Sequence, residues 1–547
     1  MVQRQSAKPV QSGRFDSEYD IVVVGSGAGG LASALFAVWL GNEVLLLEKA
    51  AELGGTTAKA AFWYWVPNNK PMQAIGIADP KPDCIRYMAR LSRPESYDSC
   101  DPHFGLTEWE YEMCEAIYDY ASPATELLAE MKALEYRHCD FVPDYWAELP
   151  EDKAPKGRVL LPKDACATMS DGGAVAVRTM SEAAARDGVE IRTRMRVQRV
   201  VTDAAGAVIG VQADDEGGRT RSIRARKAVI FATGGFTHDP QLRKSFSAQP
   251  VMGGCAARTN EGDFVHIGAA AGAELRNMNC AWMCPIVLEK ALNGDPGLIG
   301  TFSPAGDSMI YVNKHGRRVT NEKLAYNESA QAFFQWDPVR SEYPNLVLAA
   351  IWDSRAQQHS ASHEYGRFIV GDQADAAHVV QGATLAELAD NLRSRVDQLS
   401  HRIGGLRLSP DFLANLEATI ARFNRFAEAG KDEDFHRGER QVELLFNGAV
   451  AESPSAPNPT MYPIAGEGPY FAALLTGGTL DTKGGPVTNA RGQVLAHSGD
   501  TIPGLYGVGN CVASASGRAY WAGGATLGPI LAFAYLAANA AHAEKPR

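Results

Sequence analysis

The chain has no CxxC pair, and its nine cysteines are odd in number and scattered over 547 residues, so neither a disulfide framework nor a zinc site is indicated and no metal is expected. Cys280 and Cys284, four apart, are within reach of one helix face, yet they read as buried inert thiols. No uninterrupted apolar run of about 18 residues occurs, so no transmembrane segment is expected. The opening stretch MVQRQSAKPVQSGRFDSEYD carries no apolar core of the signal-peptide kind, and a cytoplasmic location is expected. Positive charge is also short. Fifty-three Lys and Arg stand against 64 Asp and Glu, a formal net charge of −11, the wrong sign for gripping a phosphate backbone, so no nucleic-acid partner is expected. No internal repeat or low-complexity block is visible. What is abundant is glycine, 53 residues against the usual ~7%, which indicates many turns or close approaches of backbone to a ligand. The 45% apolar and 21% charged composition is that of a globular chain long enough for two or more domains.

The first clear element is Tyr19-Asp-Ile-Val-Val-Val-Gly25, a continuous apolar run of the kind that forms a strand buried on both faces of a parallel sheet. It leads into Gly25-Ser26-Gly27-Ala28-Gly29-Gly30 and then LASALFAVWLG, which reads as a helix ending at Gly41. A second strand, Glu43 to Leu47, stops at Glu48, 18 positions past Gly30. In such a unit Gly25 makes the tight turn, Gly27 lets the backbone approach a pyrophosphate, and Gly30 lets helix and strand pack closely. The unpaired N–H groups of the helix N-terminus, where Ser26 and Ala28 stand, favour the anion, and Glu48 accepts hydrogen bonds from ribose hydroxyls. The full strand–turn–helix–strand–acid pattern predicts nucleotide binding.

Gly54-Gly55-Thr56-Thr57 follows the acid directly, and a segment of this kind in this place resembles flavoproteins that hold FAD with backbone and hydroxyls. Residues 191–213 read as a hairpin carrying Val197 and turning at Ala204-Ala-Gly206, while Lys227 to Phe231 is a buried strand closing on Thr233-Gly234-Gly235. Ile502 to Asn510 is a further such strand, ending on Gly509-Asn510 ahead of a last helix that begins near Leu527. The two segments resemble the ATGG and GLYxxGN elements of FAD-dependent enzymes. Cofactor segments at both ends imply one FAD-binding domain, 1–285 and 450–547, split by an insertion at 286–449. The insertion contains SPDFLANLEATIARFNRFAEAG, an amphipathic helical run with Ser409 as expected N-cap, and four prolines between Ala451 and Pro463 mark the return. The expected class is α/β: a Rossmann-type FAD-binding domain of discontinuous sequence with an inserted α+β catalytic or cap domain.

The combination of GSGAGG, GGTT followed by Trp65-Val-Pro-Asn68-Asn69, ATGGF, HGRRVTNE, FNRFAEAGKDEDF and GPYFAALLTGGTLDTKGG resembles the fumarate-reductase-like flavoproteins, and within them the 3-ketosteroid Δ1-dehydrogenases, over nearly the whole chain. Fumarate reductases place arginines where this chain has Lys323-Leu-Ala-Tyr326 after Arg318-Val-Thr-Asn321-Glu322, and Tyr520-Trp521-Ala522-Gly523-Gly524 before the last helix. Dicarboxylate chemistry is therefore disfavoured, with Arg318, Arg518 and Lys323 as its remaining cations. The ketosteroid dehydrogenases use tyrosines. Their Tyr-x-x-x-Gly before a TIGP-like helix start resembles Tyr520 to Gly524, followed here by Ala525-Thr-Leu-Gly-Pro529. Their Asn-Glu-x-x-x-Tyr element resembles Asn321 to Tyr326, and a third tyrosine five residues before a proline matches Tyr118 before Pro123, with Tyr111, Tyr120 and Tyr136 nearby. Trp521 departs from the family's small residue or proline, and Phe62, Trp63 and Tyr64 are unusually bulky; these rings either narrow the pocket or pack in the core, and Trp521, directly after the expected oxyanion tyrosine, is expected to line the pocket near the carbonyl end of the substrate.

The resemblance implies α,β-desaturation of a 3-ketosteroid or related apolar cyclic ketone, an α-proton leaving to a base and a β-hydride to non-covalent FAD, since residues 54–69 contain no histidine. Tyr520 hydroxyl and Gly524 N–H form the expected oxyanion hole, Tyr326 the base and Tyr118 the donor that eases its ionisation. An external acceptor, a quinone or similar, reoxidises the flavin. The alternatives are a reductase of enones or enoates, a desaturase of small monocyclic ketones, and a non-catalytic flavin subunit. No haem CxxCH or iron–sulfur cysteine run supplies electrons from within the chain.

Overall fold

The computed structural model describes residues 8–11, 13–166, 170–294, 306–362, 377–446 and 456–547. Two compact units divide it: Met1–Ala248, Ala256–Trp282 and Asp481–Arg547 form the first, Gln249–Cys255 and Met283–Leu480 the second.

The first unit is built on parallel strands. β1 (Ser17–Val24) pairs with β2 (Val44–Leu47) on one side and with β6 (Thr220–Phe231) on the other; β2 continues to β3 (Glu190–Arg192) and β6 to β11 (Thr501–Gly507). Alternate residues of β1 serve two different cores. Ile21 and Val23 pack with the helices Ala28–Trp39 and Leu527–His542, while Val22 and Val24 pack with Phe264 and with Val200 and Val211. That double burial is why the strand reads as an unbroken apolar run rather than an alternating one. Val200 belongs to β4 (Arg196–Thr202) and Val211 to β5 (Val208–Asp214), an antiparallel hairpin turned at Gly206, where φ is +87°. Chain order reverses between β1 and β6, so the loops leaving their C-terminal ends diverge and leave a crevice there.

The second unit carries β8 (Met309–Val312), β9 (Leu348–Asp353) and β10 (Tyr470–Thr482), paired antiparallel in that order, with β7 (Ala281–Val287) beyond β10. Helices Leu385–Leu399 and Phe412–Ala429 cover it through Leu388, Leu392, Leu416, Ile420 and Phe423 against Ile310 and Ile351. The helix expected to be capped by Ser409 starts later, with Asp411 in the cap position, because a turn closed by Phe412 N–H on the Ser409 carbonyl at 3.1 Å precedes it. Gly430, at φ +73°, ends it. The expected return near 449 and part of the proline-rich stretch lie outside the described residues. The second unit continues to Leu480, since Tyr470 to Leu475 pair with β9. Cys280 and Cys284 do not share a helix: Cys284 lies within β7, buried, its Sγ 3.8 Å from that of Cys255. Among the described residues no helix is long and apolar enough to cross a membrane.

Candidate active site

At the C-terminal ends of β1 and β6 a cleft opens. Gly25, Ser26, Gly27, Ala28, Glu48, Gly55, Thr56, Thr57, Val197, Thr233, Gly234, Gly509 and Asn510 line it. Gly30 and Leu527 do not. Gly30 is inside the first helix, where a Cβ would stand 1.8 Å from the Gly25 carbonyl oxygen, so its task is close packing; Leu527 begins the last helix and packs on the hydrophobic core. Gly25 takes φ +101° and crosses so near Ala232 that a Cβ would meet its carbonyl oxygen at 2.4 Å. Glu48 accepts the Ser26 N–H at 3.0 Å, the Ser26 hydroxyl at 2.7 Å and the Ala50 N–H at 2.8 Å, which fixes its carboxylate at the end of β2. A Cβ on Gly55 would meet nothing within 4 Å, so the cleft is open over the Gly55 backbone, whereas one on Gly54 would come to 2.7 Å from the Val177 side chain. A helix N-terminus, an oriented carboxylate and this open cradle fit a dinucleotide's diphosphate and ribose.

Asn260 and Asp481 also line the cleft, and the sequence reading missed both. Asp481 accepts hydrogen bonds from Gly235 N–H, Thr237 hydroxyl, Asn260, Asn510 and Thr482 N–H at 2.7–3.1 Å. Burial nevertheless holds its carboxyl above the ordinary range, the hydrogen bonds opposing it. Its position on the heels of the GGTL run was the available signal.

In the same unit Tyr520 is buried, 6% exposed, its ring 4.7 Å from that of Trp282 and 5.5 Å, edge-on, from that of Tyr145. Gly524 has φ +87°, and a Cβ there would meet the carbonyl carbon and oxygen of Trp63 at 2.4 Å, so no other residue fits. Its carbonyl accepts the N–H groups of Trp65, Leu527 and Gly528 at 3.0–3.1 Å, whereas its own N–H has no hydrogen-bond partner among the described residues. Trp63 lies along Gly523, where a Cβ would come to 2.8 Å from its ring. Phe62 and Tyr64 instead belong to the core.

Trp521 corrects the expectation that its indole faces the ligand. It is 1% exposed, its Nε1 donates to Ser92 Oγ at 3.1 Å and to the Met88 carbonyl at 3.3 Å, and its ring lies 5.6 Å from that of Trp65. The Trp521 carbonyl accepts the Tyr87 hydroxyl at 2.7 Å and the Tyr145 N–H at 3.1 Å. Behind Tyr87 and Trp65 lies Arg158, fully buried, bound to Asp79 by two hydrogen bonds at 2.8 and 2.9 Å, to Asp152 at 3.0 Å and to Asp144. Burial pushes the carboxyls of Asp144 and Asp152 up, against the pull of Arg158. Tyr118 donates its hydroxyl to the Asp79 carbonyl at 2.5 Å, and burial, with Asp79 and Cys84 nearby, raises its pKa. Its one proton is thus committed to a backbone oxygen rather than to a phenolate, which differs from the task expected of it.

In the second unit Tyr326, 7% exposed, opens a single helical turn, Tyr326–Ser329. The segment before it is fixed by charge. Arg318 pairs with Glu322 and Asp432 at 2.9 Å, Arg437 with Glu322 at 3.1 Å, and Asn321 donates to Glu443 at 2.8 Å. The arginines hold Glu322 and Asp432 below the ordinary carboxylate range against the cost of burial, while burial raises Glu443 to about 7. Lys323 is buried, its Nζ on the Gly306 carbonyl at 2.7 Å, and burial lowers its pKa strongly. Two of the cations left for dicarboxylate binding, Arg318 and Lys323, therefore serve internal networks.

A family model described as FAD binding domain matches residues 20–527. The chain is 29% identical to a 4-oxocyclohexanecarboxylate 2-dehydrogenase of Sinomonas cyclohexanicum, over 95% of this chain and 92% of that protein. It is also 29% identical to a 3-oxosteroid 1-dehydrogenase of Mycobacterium tuberculosis, over 95% and 98%. Among solved structures, the 3-ketosteroid delta1-dehydrogenase of Sterolibacterium denitrificans in complex with 1,4-androstadiene-3,17-dione superposes with a TM-score of 0.81 at 25% identity, covering 96% of this chain and 100% of that one.

Proposed function

Because the chain belongs to the FAD binding domain family and is an FAD-dependent oxidoreductase, we propose that it desaturates a cyclic ketone beside its carbonyl, a 3-ketosteroid or a smaller ring ketone. The observation that carries this reading is the Tyr520–Gly524 segment: a buried phenol and the Gly524 N–H, which has no partner among the described residues, walled by Trp282, Tyr145 and Trp63.

The Gly25–Ala28 turn, Glu48, Thr56, Thr57 and Gly509-Asn510 would hold FAD in the cleft without a covalent bond, and the flavin would there supply the two-electron acceptor for the β-hydride. Tyr520 hydroxyl and Gly524 N–H donate to the ketone oxygen, where negative charge develops as the α-proton leaves; each such donor is worth roughly 3–4 kcal/mol in other oxyanion holes. Tyr326, acting as its phenolate, takes the α-proton on its phenolic oxygen and becomes the neutral phenol, and the two electrons of the lost hydride pass on to an external acceptor of the quinone type. Apolar rings around Tyr520 exclude water from the developing enolate and suit a flat alicyclic substrate better than a hydrated dicarboxylate.

The test is anaerobic mixing of the flavin-bearing enzyme with a 3-ketosteroid and, separately, with a cyclohexanone derivative. Flavin bleaching by either, with formation of the enone, is expected. Absence of bleaching by both, beside oxidation of reduced viologen by an enoate, would establish the reductase instead. Acid precipitation is expected to leave the yellow colour in the supernatant, and colour retained in the pellet would refute a non-covalent flavin.

A further inference from the structure

Lys483 is a fully buried cation that none of the chemistry above uses. Burying an ammonium is costly unless hydrogen bonds or an aromatic face meet it, and both do so around Tyr520. Nζ donates to the carbonyls of Gly517, at 3.1 Å, and of Ala519, the residue immediately before Tyr520. It also stands 3.7 Å from the centroid of the Trp282 ring, whose other neighbour is the Tyr520 ring at 4.7 Å. Trp282 is pinned at its edge, Nε1 donating to Asn510 Oδ1 at 3.2 Å, and Asn510 in turn donates to Asp481 at 3.1 Å. The backbone of Lys483 is tied at both ends, its N–H to the Cys280 carbonyl and its carbonyl to the Ser514 N–H, each at 3.0 Å.

From this row of ammonium, indole and phenol we infer that Lys483 is a positioning residue for the ketone-polarising hydroxyl of Tyr520. The inference rests on the reading of Tyr520 given above and deepens it. Two carbonyl hydrogen bonds hold the backbone that delivers Tyr520, and Trp282, held flat against the ammonium, fixes the plane of its ring. The positive charge, placed one indole away in a site walled by aromatic rings, also favours negative charge gathering on the ketone oxygen. A residue that merely filled space would do the first of these but not the last.

The experiment compares wild type, Lys483→Arg, Lys483→Met, Lys483→Gln and Tyr520→Phe as flavin-bearing enzymes. Two readouts are taken: kcat and KM on the ring ketone, and the ionised fraction of bound 4-nitrophenol, whose phenolate stands in for the enolate and is seen by its colour. Wild type is expected to bind the probe as phenolate. Lys483→Met is expected to shift the bound probe about tenfold toward the neutral phenol and to lower kcat about tenfold or more with KM within about threefold; Lys483→Arg restores both. A wild type that takes only neutral probe, a Met variant with the wild-type ionised fraction, or an Arg variant as impaired as Met overturns the inference. So does failure of both neutral variants to hold flavin, which would mark Lys483 as structural. If Tyr520→Phe leaves turnover and probe unchanged, the reading of Tyr520 itself has failed; if it abolishes both while the Lys483 variants behave as wild type, only the role of Lys483 falls.

Discussion

Arg158 and Arg318 each sit at the centre of a buried ionic network, the first in one unit and the second in the other, and their charges are balanced differently. Arg158 faces three carboxyl groups, those of Asp79, Asp144 and Asp152, with no second cation bonded to them among the described residues. Arg318 and Arg437 together face Glu322 and Asp432. In the first network burial wins and two of the acids are held above their ordinary range; in the second the arginines win and both acids are held below it. Depth alone does not set the direction, since the acids of both networks are shielded from water; the ratio of cations to carboxylates does. Each network also underlies a tyrosine segment. Arg158 lies 5.4 Å from the Trp65 ring and 5.6 Å from the Tyr87 ring, and Tyr87 holds the carbonyl next to Tyr520, whereas Glu322 is four residues ahead of Tyr326.

The two tyrosines give the largest expected effect. Tyr326→Phe removes the proposed base and is expected to lower kcat by about 10³ or more with little change in KM, because the loss falls on the transition state. Tyr520→Phe leaves Gly524 as the remaining donor and is expected to cost about 10² to 10³. Steady-state kinetics on the two variants checks this, and a Tyr326→Phe enzyme within threefold of wild type would remove that residue from the mechanism.

Next in size come the platforms themselves. Arg158→Met leaves three carboxylates without their cation and is expected to destabilise by at least about 3–5 kcal/mol, more than Arg318→Met, after which Arg437 still faces Glu322. Urea unfolding of the two variants ranks them, and a milder loss at Arg158 would break the contrast. Trp521→Ala opens a cavity between Ser92 and Trp65 and is expected to cost about 3–5 kcal/mol while leaving the ratio of kcat/KM for small and polycyclic ketones where it was.

Trp521 also shows where sequence reasoning reached its end. The nucleotide turn was legible because its physics is local: Gly25, Gly30 and Glu48 act through spacing within about thirty residues, and the strands ending at Thr233 and Gly509 announce themselves as apolar runs closing on glycine. Trp521 reads as lying on the ligand side because it neighbours Tyr520, yet adjacency in the chain does not set the direction of a side chain, and its indole goes to Ser92, far away in sequence. Asp481 and Lys483 were not legible for a related reason. Their partners, Gly235 and Asn260 for one and Trp282 for the other, come from more than two hundred residues upstream, and no periodicity records such a pairing. The insertion's end was set too early because β10 lies beyond the proline-rich stretch that looked like its border.

The smallest effect separates the networks by pH. Asp144 has a raised pKa in the folded protein, so above about pH 4 the unfolded chain has released a proton that the folded one keeps. Its contribution to stability is therefore whole below that pH and is lost as pH rises toward the folded value. Asp432 is lowered, so its contribution is present above about pH 4 and is lost as pH falls through its folded value. Asp144→Asn is expected to flatten the fall in Tm between about pH 5 and 8, whatever it does to the level, because a buried amide still accepts from Trp65 Nε1 but no longer titrates. Asp432→Asn is expected to leave that region alone and to flatten the acid limb below about pH 4. Melting curves of the flavin-bearing protein at pH 3.5, 5, 6.5 and 8 distinguish the two. An Asp144→Asn protein that loses as much Tm as wild type between pH 5 and 8 would mean that Arg158, though outnumbered, keeps Asp144 ionised across that range.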